Sequence, residues 1–188
     1  MDVVSEAREL AAQHLQVPGM ERRWAHVQGV ASRAWELTPA VPADEAELLI
    51  AAAWLHDIGY APGLVVTGFH ALDGAEFLNC ALWPKRIVAL VAHHSGARFE
   101  AAERGRCMLD RLEKWPLEDS PLMDALVTAD LTVGPDGEQM TYPERVAEIY
   151  SRYGPEHVVH RTWQRVNREC AVYLDRTAAR MAAASQPM

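Results

Sequence analysis

The stretch Ala51–Tyr60 predicts the centre of the fold, because Ala-Ala-Ala-Trp-Leu-His-Asp-Ile-Gly-Tyr reads as an apolar helix ending on a histidine and an aspartate. Ala52 and Ala53 lie four and three residues before His56, so they share its helical face. Gly59 then favours the end of the helix. A buried imidazole and carboxylate need a partner, since an unpaired buried charge costs several kcal/mol. A divalent metal ion would satisfy both groups together.

The composition of the chain bounds its class and its partners. It has 188 residues, of which 49% are hydrophobic and 23% charged, which suits one domain with a sizeable core. Its net charge of −8 gives no general attraction for nucleic acid or membrane, so an anionic substrate needs local positive charge. Three scattered cysteines fit reduced thiols, and we find no signal peptide and no apolar run of membrane-spanning length. We therefore expect a cytoplasmic protein without nucleic-acid or membrane partners.

Helical periodicity, interrupted by loops rich in proline and glycine, predicts an all-α bundle of roughly seven to nine helices. We see no internal repeat, no convincing alternating strand and no linker that splits the chain. Residues 1–188 are therefore expected to form a single domain, with a metal-binding core at about 20–133 and C-terminal helices at 143–184. The predicted helical segments are 3–15, 20–37, 44–57, 69–82, 84–94, one or two within 99–115, 122–133, 143–153 and 158–184.

Polar residues on apolar helical stripes predict a metal site. Two imidazoles and two carboxylates on three predicted helices form a mixed nitrogen and oxygen set, which suits Mn, Fe, Co, Ni, Zn or Mg. These candidate ligands are His26, His56, Asp57 and Asp130. A single histidine beside an apolar stripe is more often a hydrogen-bonded core residue, and Asp124 and Asp136 compete with Asp130 for the last position.

The pattern His26, His56-Asp57 and Asp130 resembles the signature of the HD-domain superfamily of metal-dependent phosphohydrolases, over about residues 20–133. The resemblance implies an all-helical, HD-domain-like bundle in which these four residues hold one divalent ion. For substrate identity the pattern carries little information.

Further histidines after the His-Asp pair are similar to the pattern of members with two metals. There Asp57 would bridge both ions, and His70 and His93 would complete the second site. Adjacent residues on a helix point about 100° apart, so His93 and His94 do not easily bind one ion. We assign His93 as the ligand and His94 to the substrate or the leaving group. The alternative is that His94 is a core residue.

Two departures argue against the cyclic-di-GMP phosphodiesterase subgroup. That subgroup carries a lysine three residues after the paired aspartate, where this chain has Tyr60. It also carries a Gly-Tyr-Pro element after the paired histidines, where this chain reads Ser-Gly-Ala-Arg over residues 95–98. The layout is closer to small bacterial HD hydrolases acting on nucleotides, including the di-iron diadenosine-tetraphosphate type.

The resemblance implies hydrolysis of a phosphate ester or anhydride, expected to be that of a nucleotide, by a metal-activated water. Asp57, His94 and Arg98 are the predicted catalytic residues: His94 or a metal-bound water would protonate the leaving group, and Arg98 would neutralise phosphoryl oxygens. The other candidate cations are Arg22, Arg23, Lys85 and Arg86, and Asp73 is a candidate acceptor for an imidazole N–H.

Other functions stay open at this point. The same ligands occur in HD-type mixed-valence di-iron oxygenases, such as myo-inositol oxygenase, so oxidation of a small polar substrate is the main alternative. A degenerate binding module and a plain bundle with incidental histidines are two more. The expected partner is a small anionic molecule, one or two divalent ions are the expected cofactor, and a homodimer is left open.

Overall fold

The structure, a computed structural model that describes residues 2–185, consists of α-helices joined by turns and short 3₁₀ segments, which confirms the predicted all-α bundle. In this part of the chain the α-helices are α1 (Val3–Leu15), α2 (Glu21–Glu36), α3 (Ala46–Leu55), α4 (His70–Cys80), α5 (Lys85–His93), α6 (Ala97–Arg104), α7 (Arg106–Leu112), α8 (Pro121–Leu131), α9 (Tyr142–Arg152) and α10 (Val158–Ala184). The 3₁₀ segments are Thr38–Ala40, Ala43–Glu45, Ile58–Tyr60 and His94–Gly96.

Side-chain caps set the beginnings of the later helices. The Ser120 hydroxyl accepts the Met123 N–H at the start of α8. At the start of α9, Thr141 and Glu144 form a reciprocal capping box, in which each side chain accepts the other residue's backbone N–H. These bonds satisfy N–H groups that the first turn of a helix otherwise leaves free.

Helix α3 lies at the centre of the bundle and packs against α1, α2, α5 and α8. Because it is surrounded, it is apolar on all sides, and residues 49–53 are all buried. The helix ends at Leu55, so the His-Asp pair emerges inside the protein rather than at its surface.

A close contact between the turn after α3 and the start of α4 brings the next histidine to this place. A Cβ at Gly59 would lie 2.0 Å from the His70 carbonyl oxygen. Only glycine allows this approach, so Gly59 sets where α4 begins relative to the His-Asp pair.

The C-terminal helix α10 covers the bundle by packing on α8, α6 and α9. Its last turns are tied to the core by Arg180, which donates to the fully buried Asp124 at 2.6 Å. None of the helices within residues 2–185 combines the length and the apolar character that a membrane crossing requires.

Candidate metal centre

The structure brings six of the candidate residues together at the inner ends of five segments of the bundle. Five are buried, and the His70 side chain is 18% exposed. They are His26 from α2, His56 and Asp57 after α3, His70 at the start of α4, His94 after α5 and Asp130 from α8. Their ligand atoms fall into two groups, each able to hold one metal ion.

The first group consists of His26, His56 and Asp130 and is enclosed in the core. The Asp130 Oδ1 atom lies 3.0 Å from His26 Nε2 and 3.8 Å from His56 Nε2. The three ligand atoms therefore face a common point between α2, α3 and α8.

The second group consists of Asp57, His70 and His94 and lines a cavity. The Asp57 Oδ1 atom lies 3.4 Å from His70 Nε2 and 3.9 Å from His94 Nε2, and the two imidazole nitrogens are 3.2 Å apart. These atoms likewise converge on one point.

Asp57 lies between the two groups and faces both. Its Oδ2 atom is 3.4 Å from His56 Nε2 and 3.7 Å from His26 Nε2, whereas Oδ1 faces His70 and His94. One carboxylate thus presents a separate oxygen to each group, as a bridging ligand would, and its Oδ2 atom also accepts a hydrogen bond from an arginine of α2.

Backbone carbonyls fix the orientation of three of the imidazoles. The Nδ1–H groups of His26, His56 and His94 donate to the carbonyls of residues 134, 53 and 91, at 3.0, 2.7 and 2.7 Å. When such a ring is neutral, Nε2 is the atom that carries the lone pair, and in all three residues it faces the two groups.

One buried nitrogen tests whether these residues fit a metal ion. His56 Nε2 is buried and has no hydrogen-bond partner among the described residues. An unsatisfied buried acceptor costs about 1–3 kcal/mol, and a cation among these ligand atoms would remove that cost. The chemistry of the donor set agrees, because imidazole and carboxylate together suit divalent transition metals.

A strained residue orients Asp130. Ser95 has φ +48°, in the left-handed region that is costly for residues other than glycine, and its hydroxyl donates to Asp130 Oδ2. The second carboxylate oxygen of Asp130 is thereby held, so that Oδ1 faces the histidines.

Burial and charge act differently on the members of the cluster: they keep one carboxylate ionised and two imidazoles neutral, whereas Asp57 outweighs burial at His56 and raises its pKa. Burial alone would raise the pKa of Asp57, but the charges of Arg23 and His56 outweigh it and hold that pKa well below its ordinary value. Burial lowers the pKa of His70 to about 3, and it also lowers the pKa of His94. The carboxylate is therefore ionised and these two imidazoles are neutral near pH 7.

The prediction that His93 is the ligand and His94 the leaving-group donor is corrected by this geometry. The His93 Nε2–H group donates to the Trp115 carbonyl at 2.9 Å, which turns its ring away from both groups. Helix α5 ends at His93, and the 3₁₀ segment that follows directs the His94 ring toward Asp57. His94 therefore occupies the place that the sequence assigned to His93.

The predicted position of Arg98 at the site also differs from the structure. Its exposed guanidinium lies over the ring of its neighbour Phe99, and it does not line the cavity. Arg23, a lower-ranked candidate, bonds to Asp57 instead and lies 3.9 Å from the centroid of the Tyr60 ring. Tyr60 in turn stacks on His70.

The remaining candidates have other partners. Arg22 pairs with Asp136 at the surface, Lys85 bonds Asn79, and Arg86 pairs with Glu45 and Glu118. Asp124 forms a buried ion pair with Arg180. Asp73 accepts the backbone N–H groups of residues 66–68, so it anchors a loop and binds no imidazole.

The sequence analysis missed the far wall of the cavity, which comes from the C-terminal helices. Arg145, Arg152, Tyr153 and Trp163 line it together with the second metal group. One signal was available: at helical spacing Arg145 shares a face with Tyr142 and Ile149, so a cation lies on an apolar stripe.

A comparison with known families agrees with this geometry, since residues 23–149 match the family model of the HD domain. The chain belongs to the HD domain family. The expected family is therefore confirmed, and it places the chain in a superfamily of metal-dependent phosphohydrolases whose HD domains bind divalent metals. No curated protein and no solved structure matches the chain. The HD domain match begins at Arg23 and ends at Ile149, before most of the far wall.

Proposed function

We propose that this HD domain hydrolyses a phosphate ester or anhydride bond of a small anionic substrate, expected to be a nucleotide. The observation that carries the proposal is the position of Asp57, whose two oxygens face two groups of imidazoles. In this function one ion is held by His26, His56, Asp57 and Asp130, and a second by Asp57, His70 and His94.

A bound divalent ion supplies the central chemistry, because it lowers the pKa of a coordinated water toward about 7 and polarises a phosphoryl oxygen. The residues of the chain supply charge and orientation around it. Arg23 lies at the boundary between Asp57 and the cavity, where its guanidinium can neutralise the oxygens of a phosphoryl group. Its place over the Tyr60 ring fixes the plane of the guanidinium.

Tyr60 provides a proton-bearing hydroxyl on the same wall. Burial raises the pKa of Tyr60 above its ordinary value, so the hydroxyl keeps its proton at neutral pH. It is therefore a hydrogen-bond donor to a phosphoryl oxygen or to the leaving oxygen. This assigns to Tyr60 the role that the sequence gave to His94.

The cavity size restricts how the substrate lies. The cavity volume is about 80 Å³. A cavity needs about 10–15 Å³ for each water molecule, so this one holds about five to eight waters. A phosphoryl group with a few more atoms fits inside, and the nucleoside of a nucleotide substrate would lie at the mouth.

The test is hydrolysis by Mn-loaded protein of a panel of nucleotides and aryl phosphates. We expect activity that Asp57→Asn removes and Asp136→Asn leaves, since Asp136 is a surface carboxylate paired with Arg22. Activity that survives in Asp57→Asn refutes the mechanism. Absence of phosphate release from every compound by metal-loaded protein refutes the reaction.

The ligand set also favours a second candidate function, oxidation by a di-iron pair. Four imidazoles and two carboxylates suit iron as well as redox-inert ions. Iron-loaded protein that consumes oxygen when a small polar substrate is added would support this function. Activity with Mn that is indifferent to oxygen would exclude it.

A further inference from the structure

We propose that Arg145 and Arg152 on α9 bind a second phosphoryl group of the substrate, next to the one at the metal centre. This inference rests on the proposed function and specifies its substrate as a molecule with two neighbouring phosphoryl groups, such as a nucleoside diphosphate or triphosphate. Both arginines line the cavity that the second metal group opens into.

Arg145 is buried more deeply than a structural ion pair requires. It is 6% exposed, and its Nε–H group is buried without a hydrogen-bond partner among the described residues. Leaving a buried donor of a charged group without a partner costs more free energy than leaving a neutral one. A guanidinium has five N–H donors in a fixed plane, which matches the oxygens of a phosphoryl group.

Both arginines of α9 line the cavity, whereas neither of its two glutamates does. Arg145 and Arg152 both donate to the same oxygen of Glu148, so two cations share one carboxylate. Of the other ionic groups that line the cavity, Arg23 pairs with Asp57, Glu100 pairs with Arg104, and Asp130 belongs to the first metal group. An anion that enters the cavity therefore meets, beside the metal centre, two cations on α9 that share one carboxylate.

A purely structural role explains less of this geometry. Ion pairs between residues three or four apart on a helix stabilise it only slightly, which does not offset the cost of burying a guanidinium. Arg106 and Asp110 form such a pair on α7 with the Arg106 side chain 78% exposed. Arg145 makes a similar pair with Glu148, but it does so at the cavity wall and with a free donor.

The first measurement is binding, which does not depend on turnover. Calorimetry compares the affinity of Mn-loaded protein for pyrophosphate and for orthophosphate. In the wild type, pyrophosphate should bind more tightly because its second group reaches α9. Arg145→Gln should reduce the ratio of the two affinities about 10- to 100-fold, as expected for charged hydrogen bonds of about 1.5–3 kcal/mol. Arg106→Gln, which loses the same charge at the surface, should leave the ratio unchanged.

The second measurement is kinetic and uses substrates with one and with several phosphoryl groups. Arg145→Gln should raise KM for a nucleoside triphosphate while the KM for an aryl phosphate stays within about twofold, the size of a surface-charge effect. Arg145→Lys should restore part of the affinity, because it keeps the charge but loses the fork of donors.

Unchanged affinity ratios in folded Arg145→Gln overturn the proposal. If that variant does not fold, Arg152→Gln provides the test. The Arg152 side chain is 31% exposed, so it can be replaced without leaving a buried gap. Its pyrophosphate-to-orthophosphate ratio should fall about fivefold, by about 1 kcal/mol, and an unchanged ratio overturns the proposal. If no compound is hydrolysed but the ratio falls as expected, the phosphate site stands and the proposed reaction fails.

Discussion

The two halves of the metal centre share Asp57 but are built differently. In the first half, His26 and His56 are buried and each is held by a backbone carbonyl. In the second half, His94 is held in the same way, but His70 is 18% exposed to the cavity and stacks on Tyr60. Under the proposed function we therefore expect the first half to hold its ion more firmly, and the second half to exchange its ion and to contact the substrate.

Replacing the shared carboxylate should have the largest effect, because it affects both halves. Asp57→Asn should lose both ions and lower kcat/KM at least about a thousandfold, since the metal effect on water and phosphoryl oxygen is worth several kcal/mol. Metal analysis and steady-state kinetics measure the two losses. A variant that keeps one ion at full occupancy would show that Asp57 belongs to one half only.

Replacing one histidine in each half should separate them. His56→Gln should release both ions, since the enclosed site holds Asp57 in place for its neighbour. His70→Gln should release one ion and lower kcat/KM about a hundredfold, toward the upper end of the effect of losing a partner of a metal site. Titration of each variant with Mn measures this. Equal losses in the two variants would remove the distinction between the halves.

In the metal-free protein, His70 of the second half and His56 of the first half should change the free energy of unfolding in opposite directions as the pH is varied. The pKa of His70 is lowered from 6.5 to about 3, mainly by burial. Between these two pH values the unfolded chain binds a proton at His70 and the folded chain does not. This part of the stability is present above pH 6.5 and is lost as the pH falls toward 3. The pKa of His56 is raised, since Asp57 outweighs burial, so His56 contributes stability below pH 6.5 that is lost as the pH rises through its folded value.

Urea unfolding between about pH 4 and 9 checks these signs. Below pH 6.5 the free energy of unfolding should fall on acidification in the wild type, and it should fall less steeply in His70→Gln. Above pH 6.5 the wild type should lose stability as the pH rises, and His56→Gln should lose less. The same slope in all three proteins would contradict the opposite protonation behaviour of the two halves.

A smaller effect is expected at Ser95, which positions Asp130 in the first half. Ser95→Gly relieves the cost of the left-handed backbone but removes the hydroxyl, so the protein should be at least as stable while metal affinity falls about tenfold. Ser95→Ala keeps the strain and loses the same bond, and it should be less stable than Ser95→Gly. Equal metal affinity in the wild type and Ser95→Gly would show that the bond to Asp130 has no role.

The sequence predicted the residues of the first half because most of them lie on apolar stripes and, together with His26, they resemble the HD-domain pattern. His56 and Asp57 follow a buried helix, where polar side chains need a partner. Asp130 lies on an apolar stripe, where an unpaired carboxylate is costly. The all-helical fold was predicted for a similar reason, since its helices have clear periods and caps.

The second half and the far wall depend on geometry that no local pattern encodes. Whether His93 or His94 faces Asp57 is decided by where α5 ends and by the left-handed backbone at Ser95. Arg145 reaches the cavity because α9 packs beside it, a contact between segments far apart in the chain. The spacing of residues along the sequence therefore does not predict where a side chain points after the end of a helix. It also does not predict which distant helices pack together.

Metal content per chain, measured in protein purified without oxygen, tests the central claim most directly. The wild type should carry about two ions per chain and His70→Gln about one, because Asp57 presents one oxygen to each half. A wild-type chain that holds no ion at any metal concentration, or that keeps two ions without His70, would contradict the arrangement.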